Sequence, residues 1–190
     1  DFDVQFVGLA PLMASQTSVG IDWSNRSYQN ERSYKNENMY TSLYYRHPGE
    51  TGIEDLGVSE GNKNKSVSTS VDWVAFKQQY FSSAFIADGG FDASLGFKTA
   101  KNESVGFVKE FDATINIPYI AGTDTYNFAF YYGPNDYRIM KNVEFMDKKA
   151  NLQDIIPMGG VLIGWWNKFI TIPIFQWLSN HGLGFGLIIL

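Results

Sequence analysis

The chain contains no cysteine and only two histidines, His47 and His181, among 190 residues. The absence of cysteine excludes disulfide bonds, thiolate metal ligands and a cysteine nucleophile. Two histidines so far apart in sequence argue against a histidine-based metal site. The sequence therefore predicts no metal site, no cofactor and no catalytic residues.

Positive charge is also scarce. Fifteen Lys and Arg stand against twenty Asp and Glu, which gives a formal net charge of −5 and argues against a nucleic-acid partner. The residues are 44% hydrophobic and 16% aromatic, a composition typical of a globular, strand-rich protein. At this length one domain with one good core is expected.

Short segments of alternating apolar and polar residues, separated by turn signals, dominate the chain up to Tyr132. In residues 111–118, for example, alternate positions are apolar, which is the pattern of a half-buried strand. Many such strands predict a mainly β fold, an antiparallel sandwich. Residues 39–46 are predicted as a strand and residues 88–90 as a turn. The polar residues 24–38 and the Gly-rich residues 48–66 are predicted as a solvated loop and as a long loop or loose hairpin.

Helices are expected only towards the carboxyl end. Gly133 and Pro134 end the strand region, and a short helix is predicted over residues 136–142. Residues 152–178 are the main helical candidate, with Pro173 as one expected break. Alternatively, Pro173 begins a second helix over residues 173–180.

The last thirty residues, 161–190, contain one Lys and no Arg, Asp or Glu. Their apolar residues recur at helical spacing, and Trp rings suit the boundary between lipid and water. We predict an amphipathic helix that lies on a bilayer surface; the alternative is an ordinary core helix packed on the sheet. The residues predicted to form the membrane-interface helix are Trp165, Trp166, Lys168, Phe169, Ile172, Pro173, Phe175, Trp177 and Leu178.

Both ends are predicted to be cuts in a longer protein. The sequence opens with a strand-like alternation at Phe2, and the apolar residues 183–190 are far fewer than the roughly 20 needed to span a bilayer.

Three segments resemble motifs of the bacterial membrane insertase family YidC. VDWVAFKQQYF at residues 71–81 resembles W-V-A-x-x-Q-Q-Y-F, YYGPNDY at residues 131–137 resembles G-P-x-D-Y, and FITIPIF at residues 169–175 resembles F-I-x-x-P-L-F. They occur in the family's order and at similar spacing. The motif residues with an expected structural role are Trp73, Gln78, Gln79, Tyr80, Phe81, Gly133, Pro134 and Tyr137.

The resemblance implies the C-terminal portion of a periplasmic domain. In the family this domain is an antiparallel β-supersandwich similar to galactose mutarotases, with C-terminal helices. Residues 1–150 would be the sandwich portion. Residues 151–190 would be a helical segment in which the interfacial helix leads into a truncated transmembrane helix.

The resemblance also implies a role and partners. The domain would be non-catalytic and would lie at the periplasmic face of the inner membrane. Its implied partners are inner-membrane protein clients, the bilayer surface and the Sec components SecDF or SecYEG.

Other interpretations remain open. Trp73, Gln78 and Gln79 could line a peptide-binding surface, or Trp73 could be core while the Gln pair satisfies backbone groups at a bend. The same architecture also hosts carbohydrate-binding and mutarotase-like proteins. Mutarotase chemistry needs converging His and carboxylate groups, which the two separated histidines disfavour. A secreted adhesin-type sandwich would not explain the apolar tail.

Overall fold

The computed structural model describes residues 2–5, 13, 17–57, 61–99, 106–120, 125–157 and 167–181. The chain divides into two compact units, Asp1–Ile155 and Ile156–Leu190. Eight strands of the first unit form one antiparallel sheet, and two short strands form a separate hairpin. The strands are β1 (Phe2–Gln5), β2 (Ser18–Tyr28), β3 (Ser42–Arg46), β4 (Glu54–Asp55), β5 (Asn62–Lys77), β6 (Phe81–Thr99), β7 (Phe107–Pro118), β8 (Thr125–Pro134), β9 (Glu144–Phe145) and β10 (Lys148–Lys149).

The long strand β6 pairs with different neighbouring strands along its length. It pairs with β5 along most of its length, while its first half pairs with β8 and its second half with β7. Between the halves, Gly89 and Gly90 adopt φ of 81° and 74°, a left-handed conformation that favours glycine. A side chain on Gly90 would also collide with the Ser70 hydroxyl. The glycine pair therefore bends a continuous strand, and the predicted turn at residues 88–90 is this bend.

Aromatic contacts show that the two halves of the sheet face each other. Phe76 of β5 stacks on Trp23 of β2, with ring centroids 4.0 Å apart, and on Phe111 of β7 at 5.0 Å. Trp23 also meets Phe130 of β8 edge-on at 5.6 Å. Apolar side chains from both halves thus share one core. The prediction of a mainly β, antiparallel sandwich is confirmed.

The predicted loop at residues 24–38 is wrong. Strand β2 continues to Tyr28, and helix α1 (Tyr34–Tyr40) follows, so the strand predicted over residues 39–46 begins only at Ser42. The end of β2 was missed because polar Asn25 and Ser27 occupy two of its inward-facing positions.

Residues 48–66, predicted as a long loop or loose hairpin, contain β4 and the first residues of β5.

Two buried lysines hold the carboxyl end of α1. The Lys77 ammonium donates to the Tyr40 carbonyl at 3.0 Å, and the Lys109 ammonium donates to the Thr41 carbonyl at 2.5 Å. Burial lowers the pKa of each ammonium to about 8. Carbonyl groups at a helix carboxyl end carry partial negative charge, so they compensate a buried cation. The helix is therefore attached to the sheet at β5 and β7.

The predicted helix over residues 136–142 is present as α2 (Tyr137–Lys141). The Asp136 carboxylate caps it by accepting from the backbone N–H groups of Arg138 and Ile139 at 2.8 and 3.1 Å. The long helical candidate at residues 152–178 starts as a single 3-10 turn, Leu152–Ile155.

In the second unit a π-helical turn, Asn167–Thr171, leads into α3 (Ile172–Asn180). Pro173 is the second residue of α3 and follows the π-helical turn directly, so it lies within a continuous helical stretch. The start of α3 falls one residue before Pro173, close to the start of the alternative second helix, but Ile172 before the proline is helical and not extended. Among the described helices, none has the length and apolar character to cross a bilayer.

Candidate functional site

Two of the three motif segments meet at the turn between β5 and β6. Phe81 of the first motif pairs with Pro134 of the second across the β6–β8 ladder. The turn itself is closed by the Gln78 N–H, which donates to the Phe81 carbonyl at 2.8 Å. Motif residues 53 positions apart, Phe81 and Pro134, therefore build one local structure.

Asn135 joins these two segments. Its side-chain amide donates to the carbonyls of Gln78 and Gln79 at 2.8 and 3.1 Å, and its side-chain carbonyl accepts from the Ser82 hydroxyl at 2.6 Å. Its backbone N–H donates to the Tyr80 carbonyl at 2.7 Å. At this bend the Asn135 side chain satisfies the backbone carbonyls, and the Gln79 side-chain amide donates to the Tyr80 hydroxyl at 3.0 Å. An amide side chain can donate and accept at once, but no local pattern identifies these partners, which are more than fifty residues away in sequence.

Replacing Asn135 with alanine should lower the free energy of unfolding by about 1–3 kcal/mol, since two partly buried carbonyls lose their donor. Urea denaturation followed by circular dichroism measures the loss. Asn127→Ala, on the same strand region, is the matched control and should change stability by less than about 0.5 kcal/mol. Equal losses in the two variants would contradict the clamping role of Asn135.

The turn groove is the concave surface beside this turn, with a volume of about 450 Å³. The lining side chains of Phe81 and Tyr132 remain 61% and 66% exposed, and Tyr80, in the turn next to the groove, is 54% exposed. The described residues that line the groove carry no formal charge. Such a surface suits an apolar or hydroxyl-rich partner better than an ionic one. The lining residues used in the argument are Phe76, Gln78, Phe81, Ser82, Tyr132 and Pro134.

Trp73 does not line the turn groove. It is fully buried, and its indole N–H donates to the Ala150 carbonyl at 2.8 Å. Of its two interpretations, the structure shows the core one. Tyr137, at the start of α2, is half-buried, with the Lys141 ammonium 6.0 Å from its ring centroid.

The helix α3 presents a second apolar surface. Ile172, Phe175 and Leu178 are half-buried. The other side carries Ile174 and Trp177, which are 53% and 61% exposed, together with the exposed Pro173; Phe169 of the preceding π-helical turn is 60% exposed and extends this side. A helix that contacts water usually presents polar side chains on that side. We name this side the apolar face of α3.

The structure describes no side chain for three of the predicted interface residues. Trp165 and Trp166 lie outside the described residues, and only the backbone of Lys168 is described. The assignment of all nine residues to a membrane-interface helix stays a prediction.

The side chains of Tyr45, Glu54 and Lys65 form one group of mutually hydrogen-bonded polar side chains. The Tyr45 hydroxyl and the Lys65 ammonium both bond the Glu54 carboxylate, the latter at 2.8 Å. The hydrogen bond to Glu54 raises the pKa of Lys65, and the hydrogen bond from Lys65 lowers the pKa of Glu54. Both groups are therefore charged at neutral pH and poorly suited to exchange protons. Within the described ranges, no group of three or more His, Asp or Glu side chains is placed to hold a metal ion.

The fold places the chain in the class of antiparallel β-sandwich domains with a few short helices. The pattern of the family described as the YidC periplasmic domain matches residues 14–177. The chain belongs to this family.

Curated relatives align with all or nearly all of the chain. A membrane protein insertase YidC from Bacteroides fragilis is 34% identical over 192 aligned residues, which cover 100% of this chain. The proteins of the same name from Phocaeicola vulgatus and Porphyromonas gingivalis are 34% and 30% identical over 91% and 93% of it. The chain spans only 31%, 28% and 29% of the lengths of these three relatives.

Proposed function

We propose that this chain is a non-catalytic periplasmic part of a membrane protein insertase. It assists the insertion and folding of inner-membrane proteins, alone or with the Sec translocon, at the periplasmic face of the inner membrane. Membership of the YidC periplasmic domain family and relatives named as insertases support this proposal.

The observation that carries the proposal is the apolar face of α3. Phe169 of the π-helical turn and Ile174 and Trp177 of α3 leave three large apolar side chains exposed on a short helical stretch. Lipid offers such a face an environment that water does not, and the Trp indole N–H can still reach the headgroup layer. In this proposal α3 lies in the membrane interface, within a helical segment over residues 151–190 that leads into a transmembrane helix.

The sandwich, over residues 1–150, serves as the docking part. Its turn groove offers exposed aromatic side chains without charge, which suits extended segments of inner-membrane clients or a surface of SecDF or SecYEG.

Complementation of an insertase-depleted strain by the full-length protein tests the proposal. Deleting residues 165–178 should abolish or strongly impair insertion of a reporter membrane protein, because the lipid contact is removed. Trimming residues 49–65, which carry mostly exposed polar side chains, should impair it much less. Equal tolerance of both deletions, at equal protein levels, would refute a mechanical role of the helix.

A carbohydrate-binding function is the second candidate, and the turn groove favours it. Exposed aromatic rings beside the amide of Gln78 and the hydroxyl of Ser82 are groups that contact sugars well. The described lining residues include neither His nor carboxylate, so binding fits better than mutarotase chemistry. Trp23 packs on Phe76 of the groove, and a saturable change of Trp fluorescence with added sugars would support this function.

A further inference from the structure

A second cavity lies in the first unit, away from the turn groove. It has a volume of about 260 Å³ and opens where β5, the bend of β6 and the β9–β10 hairpin meet. At the roughly 30 Å³ that a water molecule occupies in the liquid, this volume admits a ligand of several non-hydrogen atoms. The lining residues that matter are Asp72, Trp73, Ile86, Asp88, Phe145 and Lys148.

The inner wall of this cavity is apolar and firmly held. Trp73 and Ile86 are opposite each other in the β5–β6 ladder, and both are buried. Phe145 of β9 is buried as well. The hydrogen bond from the Trp73 indole to the Ala150 carbonyl, at 2.8 Å, attaches the chain just after β10 to the sheet. The wall is thus preformed for an aliphatic group.

The charges at the rim are paired, with one exception. Lys148 lies 3.4 Å from Asp88, and Lys149 lies 2.8 Å from Glu144. Arg46 of β3, which is not a lining residue, lies 2.8 Å from Asp154. The Asp72 carboxylate makes neither a hydrogen bond nor an ion pair of its own in the described part of the chain. Among the described residues that line the cavity, the one charge without an ion-pair partner is therefore the negative charge of Asp72.

The environment of Asp72 shows that this charge is poorly compensated. The side chain is half-buried, and burial raises the pKa of its carboxyl. Three cationic or titratable neighbours, Arg46, Lys148 and His47, lower that pKa only in part. A cation that enters the cavity would supply the missing compensation.

We propose that this cavity binds a primary ammonium or guanidinium group carried on an aliphatic stem. The stem packs on Ile86 and Phe145, which keep 6% and 8% of their surface exposed in front of the buried Trp73, and the cation reaches Asp72 and competes with Lys148 for Asp88. Long cationic side chains bury their stems in this way while the charge stays near the rim. The shared chemistry fits a Lys or Arg side chain of an extended polypeptide as well as a free aliphatic amine.

The test is a titration of the ¹⁵N-labelled 190-residue chain with n-butylammonium and ethylguanidinium, followed by NMR. The reporters are the Trp73 indole and the amides of Gly89 and Gly90. n-Butanol, of equal length without charge, is the ligand control. A blocked tripeptide with a central Lys, its norleucine counterpart and a free five-carbon diamine distinguish the two sources of the cation.

Three variants test which charged side chains contribute to binding of the cation. Asp72→Asn should weaken binding by about fivefold, as expected when a partly exposed charge pair is lost. Lys148→Ala should strengthen it, because the competing internal cation is gone. Asp92→Asn, an exposed acid on β6 outside the cavity, should leave it unchanged.

Saturable shifts at the three reporters that follow this order of variants support the proposal. Shifts of equal size with n-butanol, binding unaffected by Asp72→Asn, or no saturable shift with either cation would overturn it. The tighter of the tripeptide and the diamine identifies the source.

Discussion

Replacing Phe76 with alanine is expected to lower the free energy of unfolding by about 3–5 kcal/mol, the range typical of a fully buried aromatic residue. Phe76 is 2% exposed and stacks on Trp23 and on Phe111. It thus carries contacts between the two facing halves of the sheet. Truncation leaves a cavity that the rigid strands around it cannot collapse to fill.

Urea denaturation monitored by circular dichroism measures this loss. Phe81→Ala removes the same atoms from a side chain that is 61% exposed, and it should cost about 1 kcal/mol or less. Phe76→Leu keeps most of the volume and should cost less than the alanine change, so it reports on the site even if Phe76→Ala does not fold. Similar losses for Phe76→Ala and Phe81→Ala would show that the two halves of the sheet do not depend on this aromatic stack.

The sequence predicted the sandwich because its strands alternate clearly where apolar residues face inward. Ala113 and Ile115 of β7 are buried while Asp112 and Thr114 are exposed, which is the pattern expected from the residues alone. The same logic failed at β2, where Asn25 and Ser27 face inward. Alternation is therefore not a necessary signal for a strand.

Features that depend on distant residues could not be predicted locally. Gly89 and Gly90 favour a turn in any sequence, and only the pairing of β6 with both β8 and β7 makes them a bend inside one strand. Lys77 and Lys109 are expected at the surface by composition rules, yet both are buried because α1 brings its carbonyl groups to them.

The candidate site likewise contains features that depend on distant residues and could not be predicted from local sequence. The motif residues Tyr80 and Phe81 were expected to have structural roles, but both are exposed beside the turn groove. Asn135 joins the motif segments through partners that are more than fifty residues away in sequence. Long-range hydrogen bonds of this kind follow from the fold and not from local pattern.

Replacing Phe169, Ile174 and Trp177 together with serine should weaken binding of the chain to lipid vesicles by about a hundredfold. Burying each exposed apolar side chain part-way into the bilayer contributes about 1 kcal/mol, and a loss of about 2.7 kcal/mol corresponds to that factor. Sedimentation with vesicles of phosphatidylethanolamine and phosphatidylglycerol measures the partition coefficient.

The matched control removes three exposed aromatic side chains elsewhere, with Tyr80, Phe81 and Tyr132 of the turn groove changed to serine. It alters surface hydrophobicity by a similar amount, because these side chains are 54%, 61% and 66% exposed. If membrane contact resides in the apolar face of α3, this control should bind vesicles like the unchanged chain. Equal weakening in both triple variants would mean that vesicle binding reflects general stickiness, and the interfacial role of the helix would have to be abandoned.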